Sequence, residues 1–166
     1  PDFESSTKGL NITGICGSGI IEVIAEMFLA GVITQDGIVD GALAEQTERV
    51  RSNGRTWSYV LHFAQHEAQR DIVVTQNDVR QIQLAKAALY AGIKLLMDKM
   101  GVAAVDRIRL AGAFGSHISV EHAMVLGLIP DCALNNVSSA GNAAGVGARI
   151  ALLNRESRVS IQQTVN

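Results

Sequence analysis

Leu110-Ala111-Gly112-Ala113-Phe114-Gly115-Ser116 is the stretch that decides the fold class. Ile108 to Ala111 is a short apolar run that breaks into glycines, the pattern of a buried strand entering a tight turn. Val120 to Leu126, ended by Gly127, predicts the short helix that follows. The same order occurs earlier in the chain. Leu10 to Ile15 alternates enough for a short strand, and Gly14-Ile15-Cys16-Gly17-Ser18-Gly19 supplies the turn. Ile20, Val23, Ile24, Met27 and Phe28 then recur at helical spacing before Gly31. Two strand, glycine turn, helix units predict an α/β fold. In open α/β sheets ligands sit beyond the carboxyl ends of strands, so Leu110 to Ser116 is a candidate seat for a planar base or ribose. A plain strand-to-helix turn is the alternative.

Between the two units the text changes character. Gln35-Asp36-Gly37 and Asn53-Gly54 are turn signals, and Arg55 to Phe63 is the best strand candidate, so a small hairpin-containing subdomain is expected here. Ile72 to Thr75 reads as a brief extended entry. Thr75-Gln76-Asn77-Asp78 resembles a capping box with Asp in place of Glu. A long helix should follow, with Val79, Ile82, Leu89, Ile93, Leu96 and Met100 as its apolar stripe and Gly101 as its stop. The final helix is expected from about Ala140 to Leu153, where Gly141, Ala143, Ala144, Gly145, Gly147 and Ala148 leave one side nearly bare, so that another backbone can pack close. From Asn154 the text is polar and reads as a frayed tail.

Composition limits the function classes. The chain has 166 residues, 48% of them hydrophobic and 18% charged, which excludes intrinsic disorder. A net charge of -2 gives no reason to expect nucleic acid or an anionic membrane as partner. Charged or polar residues interrupt every apolar run before it reaches membrane-spanning length. Two cysteines, Cys16 and Cys132, cannot build a disulfide framework or a four-thiolate cluster, and with no signal peptide ahead of them a reducing cytoplasm is expected. The first residue is Pro1 rather than Met, which predicts a fragment whose preceding part carries further chemistry.

The candidate residues each have two readings. Gly14 to Gly19 places backbone N–H groups at a helix start, where an anion is favoured, yet the order is neither the dinucleotide fingerprint nor a Walker loop. From this loop alone a tight turn with Ser18 as cap is the favoured reading. Lys86 sits on the apolar stripe of the long helix and either reaches a carboxylate or phosphate or lays its stem along the core. His62 and His66 are four apart, as a helical metal pair requires, but the preceding residues read as strand and no third ligand is evident, so solvated histidines are favoured. Cys16 beside a helix start could gain thiolate character, although a small residue filling a buried turn is the simpler reading. No nucleophile-base set or carboxylate pair can be assembled, so no catalytic residue is assigned.

Taken together, Gly14 to Ile21, Thr75 to Ala88, Leu110 to Gly115, Gly127-Leu128-Ile129-Pro130-Asp131 and Gly141 to Ala148 resemble one family, the C-terminal ATPase region of reductive activators of corrinoid proteins. Five ordered blocks across nearly the whole chain are far more specific than one glycine loop. The resemblance implies the actin, sugar-kinase and heat-shock chaperone ATPase superfold, with this chain as the second of two ribonuclease-H-like halves that close over ATP. Residues 1–18 and 72–166 would form the ribonuclease H-like core, and 19–71 an inserted small α+β lid subdomain. By the same resemblance Gly112, Ala113, Phe114, Gly115 and Ser116 correspond to the adenosine loop, although Ser116 stands where a larger amide residue is expected. Gly17, Ser18 and Gly19 start the helix that leads to the lid, and Lys86 completes the set expected at the nucleotide. The helix from Gly141 corresponds to the interdomain hinge. The family returns a cobalt(II) corrinoid on a methyltransferase partner to cobalt(I), with an electron from an iron–sulfur domain and with ATP and Mg2+. The cluster and the phosphate-binding loops belong to the family's preceding sequence. A homodimer and a corrinoid-protein partner are expected. Alternatives are a dimerisation or corrinoid-docking module, or half of a small-molecule kinase.

Overall fold

A computed structural model describes residues 10, 12–66 and 69–165. Helix α1 (Gly19–Leu29) ends where Ala30 and Gly31 close it, Gly31 adopting a φ of 73°. Its Ile24 and Met27 enter one buried cluster and its Ile21 another, so α1 is shared by two cores. An isolated bridge, Ile33 to Val39, carries the chain through the Gln35-Asp36-Gly37 turn and a short 3-10 turn (Gly41–Glu45).

Strands β1 (Val50–Asn53), β2 (Thr56–His62) and β3 (Ile72–Thr75) form an antiparallel meander in that order. Asn53 pairs with Thr56 around Gly54, whose φ of 65° suits the two-residue hairpin that Asn53-Gly54 signals. Ser58, Val60 and His62 are buried at the period of two that a sheet with one covered face imposes. The register slips between Val60 and His62, and Arg49 donates to the carbonyls of both Val60 and Leu61 there. His62 therefore lies on a strand, so it and His66 do not share a helical face. The first core joins Ile24, Met27, Ile33, Val39, Val50, Val74 and Val79.

Helix α2 (Gln76–Met100) starts with the capping box its sequence announces. Thr75 Oγ1 accepts from Asp78 N, while the Asp78 carboxylate accepts from Thr75 N at 2.8 Å. Gly101, at φ 67°, stops it. The expected core stripe is only partly covered: Val79 is buried and Ile82 and Ile93 are half-buried, whereas Leu89, Leu96 and Met100 are exposed. Leu96 and Met100, near the end of the helix, stay open to solvent.

Strand β4 (Ile108–Ala111) leads through α3 (Gly112–His117) and α4 (Val120–Val125) to β5 (Val137–Gly141), which pairs with β4 in parallel. Ile21, Ala123, Leu128 and Ile129 form the second core against this unit. Helices α5 (Ala143–Leu153) and α6 (Arg155–Val165) finish the chain.

Three expectations need correction. Among the described residues no strand forms at Leu10 or at 12–15, where none has a described ladder partner; Asn11 lies outside the described residues. The glycine-rich helix begins at Ala143 rather than Ala140, since Ser138 to Gly141 are drawn into β5 and Asn142 caps the helix by accepting from Gly145 N. The polar tail is helical, because Asn154 Oδ1 accepts from the Glu156 and Ser157 amides and so caps α6.

Candidate functional site

The strand-to-helix junction after β4 is tightly built. Gly112 turns the chain at φ 91°. A Cβ on Gly115 would stand 3.0 Å from the Leu110 carbonyl carbon and Cβ, so the first turn of α3 folds directly onto the end of β4 and a side chain there would push the two apart by a few tenths of an ångström. Ser116 Oγ donates to the Gly112 carbonyl at 3.0 Å and lies 3.0 Å from Ser139 Oγ on β5, which in turn accepts from Gly141 N. The Ser116 hydroxyl thus fastens α3 to β5. Ser139 was invisible to the sequence reading because β5 itself was.

At the other glycine cluster, Ser18 does not act as the cap. Its hydroxyl lies 3.4 Å from Cys16 Sγ, and the Gly19 amide donates to that sulfur at 3.3 Å. Cys16 takes the place expected for Ser18, and it is exposed rather than packed in a buried turn. The Ser18 hydrogen bond first, and the Gly19 amide second, lower the Cys16 thiol pKa from its ordinary value.

A cleft of about 430 Å3 brings the two clusters together. Gly17 and Ile21 border it on one side, Ala111, Phe114 and Gly115 on another, with Ile82, Ala85 and Leu89 of α2 and Ile118, Ala123, Leu128 and Ile129 completing the wall. Arg109 is the single charged side chain among these lining residues. The sequence reading missed it, because an arginine in a four-residue strand reads as its solvent face. Ser18, Gly19, Gly112, Ala113 and Ser116 adjoin the cleft along the chain without lining it. Lys86 does not share it. Its amine and Cε approach Gly127, and it borders a separate depression of about 130 Å3 with Phe28, Gln83 and Leu126; Ile82 borders both hollows. The exposed Lys86 has the stem-along-surface geometry of a snorkelling lysine.

The walls are mainly aliphatic, and half-exposed Phe114 offers a ring face. Such a surface suits a flat, weakly polar body such as a purine. It does not suit a triphosphate, which needs several cations or inward N–H groups. Among the described residues no group of three or more His, Cys, Asp or Glu could hold a metal ion.

Comparison with known proteins adds the decisive observation: a family model described as the C-terminal domain of RACo, the ASKHA domain, matches residues 2–166. The chain belongs to this family. Its fold is that of the actin-like ATPases, of mixed α/β construction. The corrinoid activation enzyme RamQ of Eubacterium limosum is 38% identical over 151 residues, which cover 86% of this chain and 26% of that protein. A solved reductive activator for corrinoid, iron-sulfur protein superposes with a TM-score of 0.76 at 33% identity, over 90% of this chain and 24% of that one. This RACo C-terminal-domain chain therefore spans about a quarter of the length of the relatives it matches. Among its described residues no helix is long and apolar enough to cross a membrane.

Proposed function

We propose that this chain is the C-terminal ATPase half of a cytoplasmic reductive activator that returns the cobalt(II) corrinoid of a methyltransferase system to cobalt(I). The observation that carries the reading is the meeting of Gly17 with Phe114 and Gly115 in one cleft, in a chain of the RACo C-terminal family. The electron would come from an iron–sulfur domain elsewhere in the activator, since a four-thiolate cluster needs more than Cys16 and Cys132.

In this reading Phe114 stacks on the adenine and the aliphatic walls exclude water around it. Gly17 and Gly115 let the backbone approach the nucleoside, and Arg109 is the nearest lining cation. Ser18, Gly19, Gly112, Ala113 and Ser116 shape the two loops, while Lys86 lies at the neighbouring depression, which shares Ile82 with the cleft. The residues present fit the base. ATP brings the phosphoanhydride and Mg2+ neutralises its charge, and both belong against the other half of the cleft. Residues 19–71 are assigned to a lid subdomain inserted into a core of 1–18 and 72–166, although β3 (Ile72–Thr75) pairs with β2, so the lid's sheet extends past residue 71. α1, whose side chains enter both cores, would transmit a change at the nucleotide to the lid. Closure acts by binding the two states of the activator unequally.

The bare face of α5 supports its assignment as the hinge. Ala143, Ala144, Gly147 and Ala148 are exposed, and nothing stands within 4 Å of a Cβ on Gly147, so a partner backbone can approach and slide. Exposed Leu96 and Met100 on α2 and Ile150 and Leu153 on α5 give apolar surface for the two associations required, with the preceding half and between the subunits of a homodimer. That surface also favours a second reading, a docking module for the corrinoid protein.

Titration with a fluorescent ATP analogue and, separately, with a corrinoid protein distinguishes the two. The leading reading expects analogue binding that weakens in Phe114→Ala. Corrinoid-protein binding with no nucleotide binding would favour docking.

A further inference from the structure

Ser119, His122 and Glu26 form a hydrogen-bonded chain that the reading of the cleft does not use. His122 Nδ1 lies 2.7 Å from Ser119 Oγ, and Nε2 lies 2.8 Å from Glu26 Oε1, 96 positions away in the sequence. One ring nitrogen is held by the residue that caps α4, and the other reaches across to α1. These two helices carry Ala123 and Ile21, which line the cleft and meet in the second core.

We propose that His122 is a positioning residue, a clasp that fixes α4 against α1 and thereby the spacing of the cleft walls. In the neutral ring Nδ1 accepts the Ser119 hydroxyl proton and Nε2–H donates to the Glu26 carboxylate. The ring is largely covered, at 20% side-chain exposure, whereas Glu26 is 67% exposed, so solvent weakens the bond on the Glu26 side.

The test is backbone amide exchange at Ala123, Leu126 and Gly127 in the intact, nucleotide-free protein, because these amides close α4 onto Ser119, His122 and Met124. His122→Phe, which keeps the bulk and removes both bonds, is expected to speed their exchange by about threefold, the scale of a rim-exposed charged pair. Glu26→Ala, which removes only the bond across to α1, should speed exchange of the same amides, and the double variant should exchange no faster than His122→Phe alone, because both changes open one clasp. Unchanged exchange in Glu26→Ala overturns the proposal, and this arm holds even if His122→Phe fails to fold. The link to the cleft rests on the functional reading above and is read separately, from analogue affinity. If α4 responds while nucleotide binding is absent in every variant, the clasp stands and the nucleotide reading falls. Intact nucleotide binding with unchanged exchange in Glu26→Ala overturns the clasp alone.

Discussion

At the scale of single residues, the most informative side chain is Cys16, where a sulfur does the work expected of a hydroxyl. Its depressed pKa comes mainly from Ser18, so Ser18→Ala should slow alkylation of Cys16 by iodoacetamide near neutral pH and have little effect well above the thiol range, where every thiol is ionised. Equal rates at neutral pH would show that the hydrogen bond does not stabilise the thiolate. Thr75 and Asp78 were legible in the text because a capping box is a local pattern, complete within four residues. Thr75→Ala should cost about 1 kcal/mol, read as a fall in Tm of roughly 2–4 °C. Gly41 was not legible. A Cβ there would overlap the Trp57 indole, a contact between distant segments, and Gly41→Ala should destabilise by about 1–3 kcal/mol in denaturant unfolding. The cap of α1 was misread for a related reason, since the choice between Cys16 and Ser18 depends on how the chain enters the helix.

Among the elements, those with strong local signals came through. α1, the hairpin at Asn53-Gly54, β3, the whole length of α2 and β4 lie within a residue or two of their expected bounds. β5 and α6 did not. Val137-Ser138-Ser139-Ala140-Gly141 has one strong strand former, and becomes a strand because β4 lies beside it. α6 looks like a tail until the Asn154 cap is known. The burial of α2 was over-read because helical spacing reports amphipathicity and not the presence of a partner: the stripe is real, but Leu89, Leu96 and Met100 face outward. In α1 the spacing and the packing agree. Met27→Ala should therefore cost about 2–5 kcal/mol, and Leu96→Ala on the exposed half of α2 less than about 0.5 kcal/mol, in chemical denaturation of the isolated chain. A comparable loss for both would mean that α2 is covered as α1 is.

For the molecule as a whole, the exposed area is the telling quantity. The chain presents 11749 Å2 to solvent. A compact monomer of its 17.6 kDa would present about 7,900 Å2 by the usual scaling with mass. The surplus includes the outward faces of α2, α5 and α6, and it agrees with a chain that spans a quarter of its relatives' length. The family was legible because five motif blocks are ordered along the chain, whereas the cleft needed coordinates: Gly17 and Phe114 are brought together by the second core, which no local pattern reports. Half a cleft should not turn over, so the isolated chain is expected to show no measurable ATPase activity; turnover that Gly112→Asp abolishes would show the other half to be unnecessary. The central claim is that the cleft between Gly17 and Phe114 receives the purine. Photo-crosslinking of 2-azido-ATP to the full-length activator, followed by peptide mapping, tests it most directly. The account predicts label within the segments carrying Gly17 and Leu110 to Ser116, lost with excess ATP, and ATP-protected label confined to other parts of the protein would contradict it.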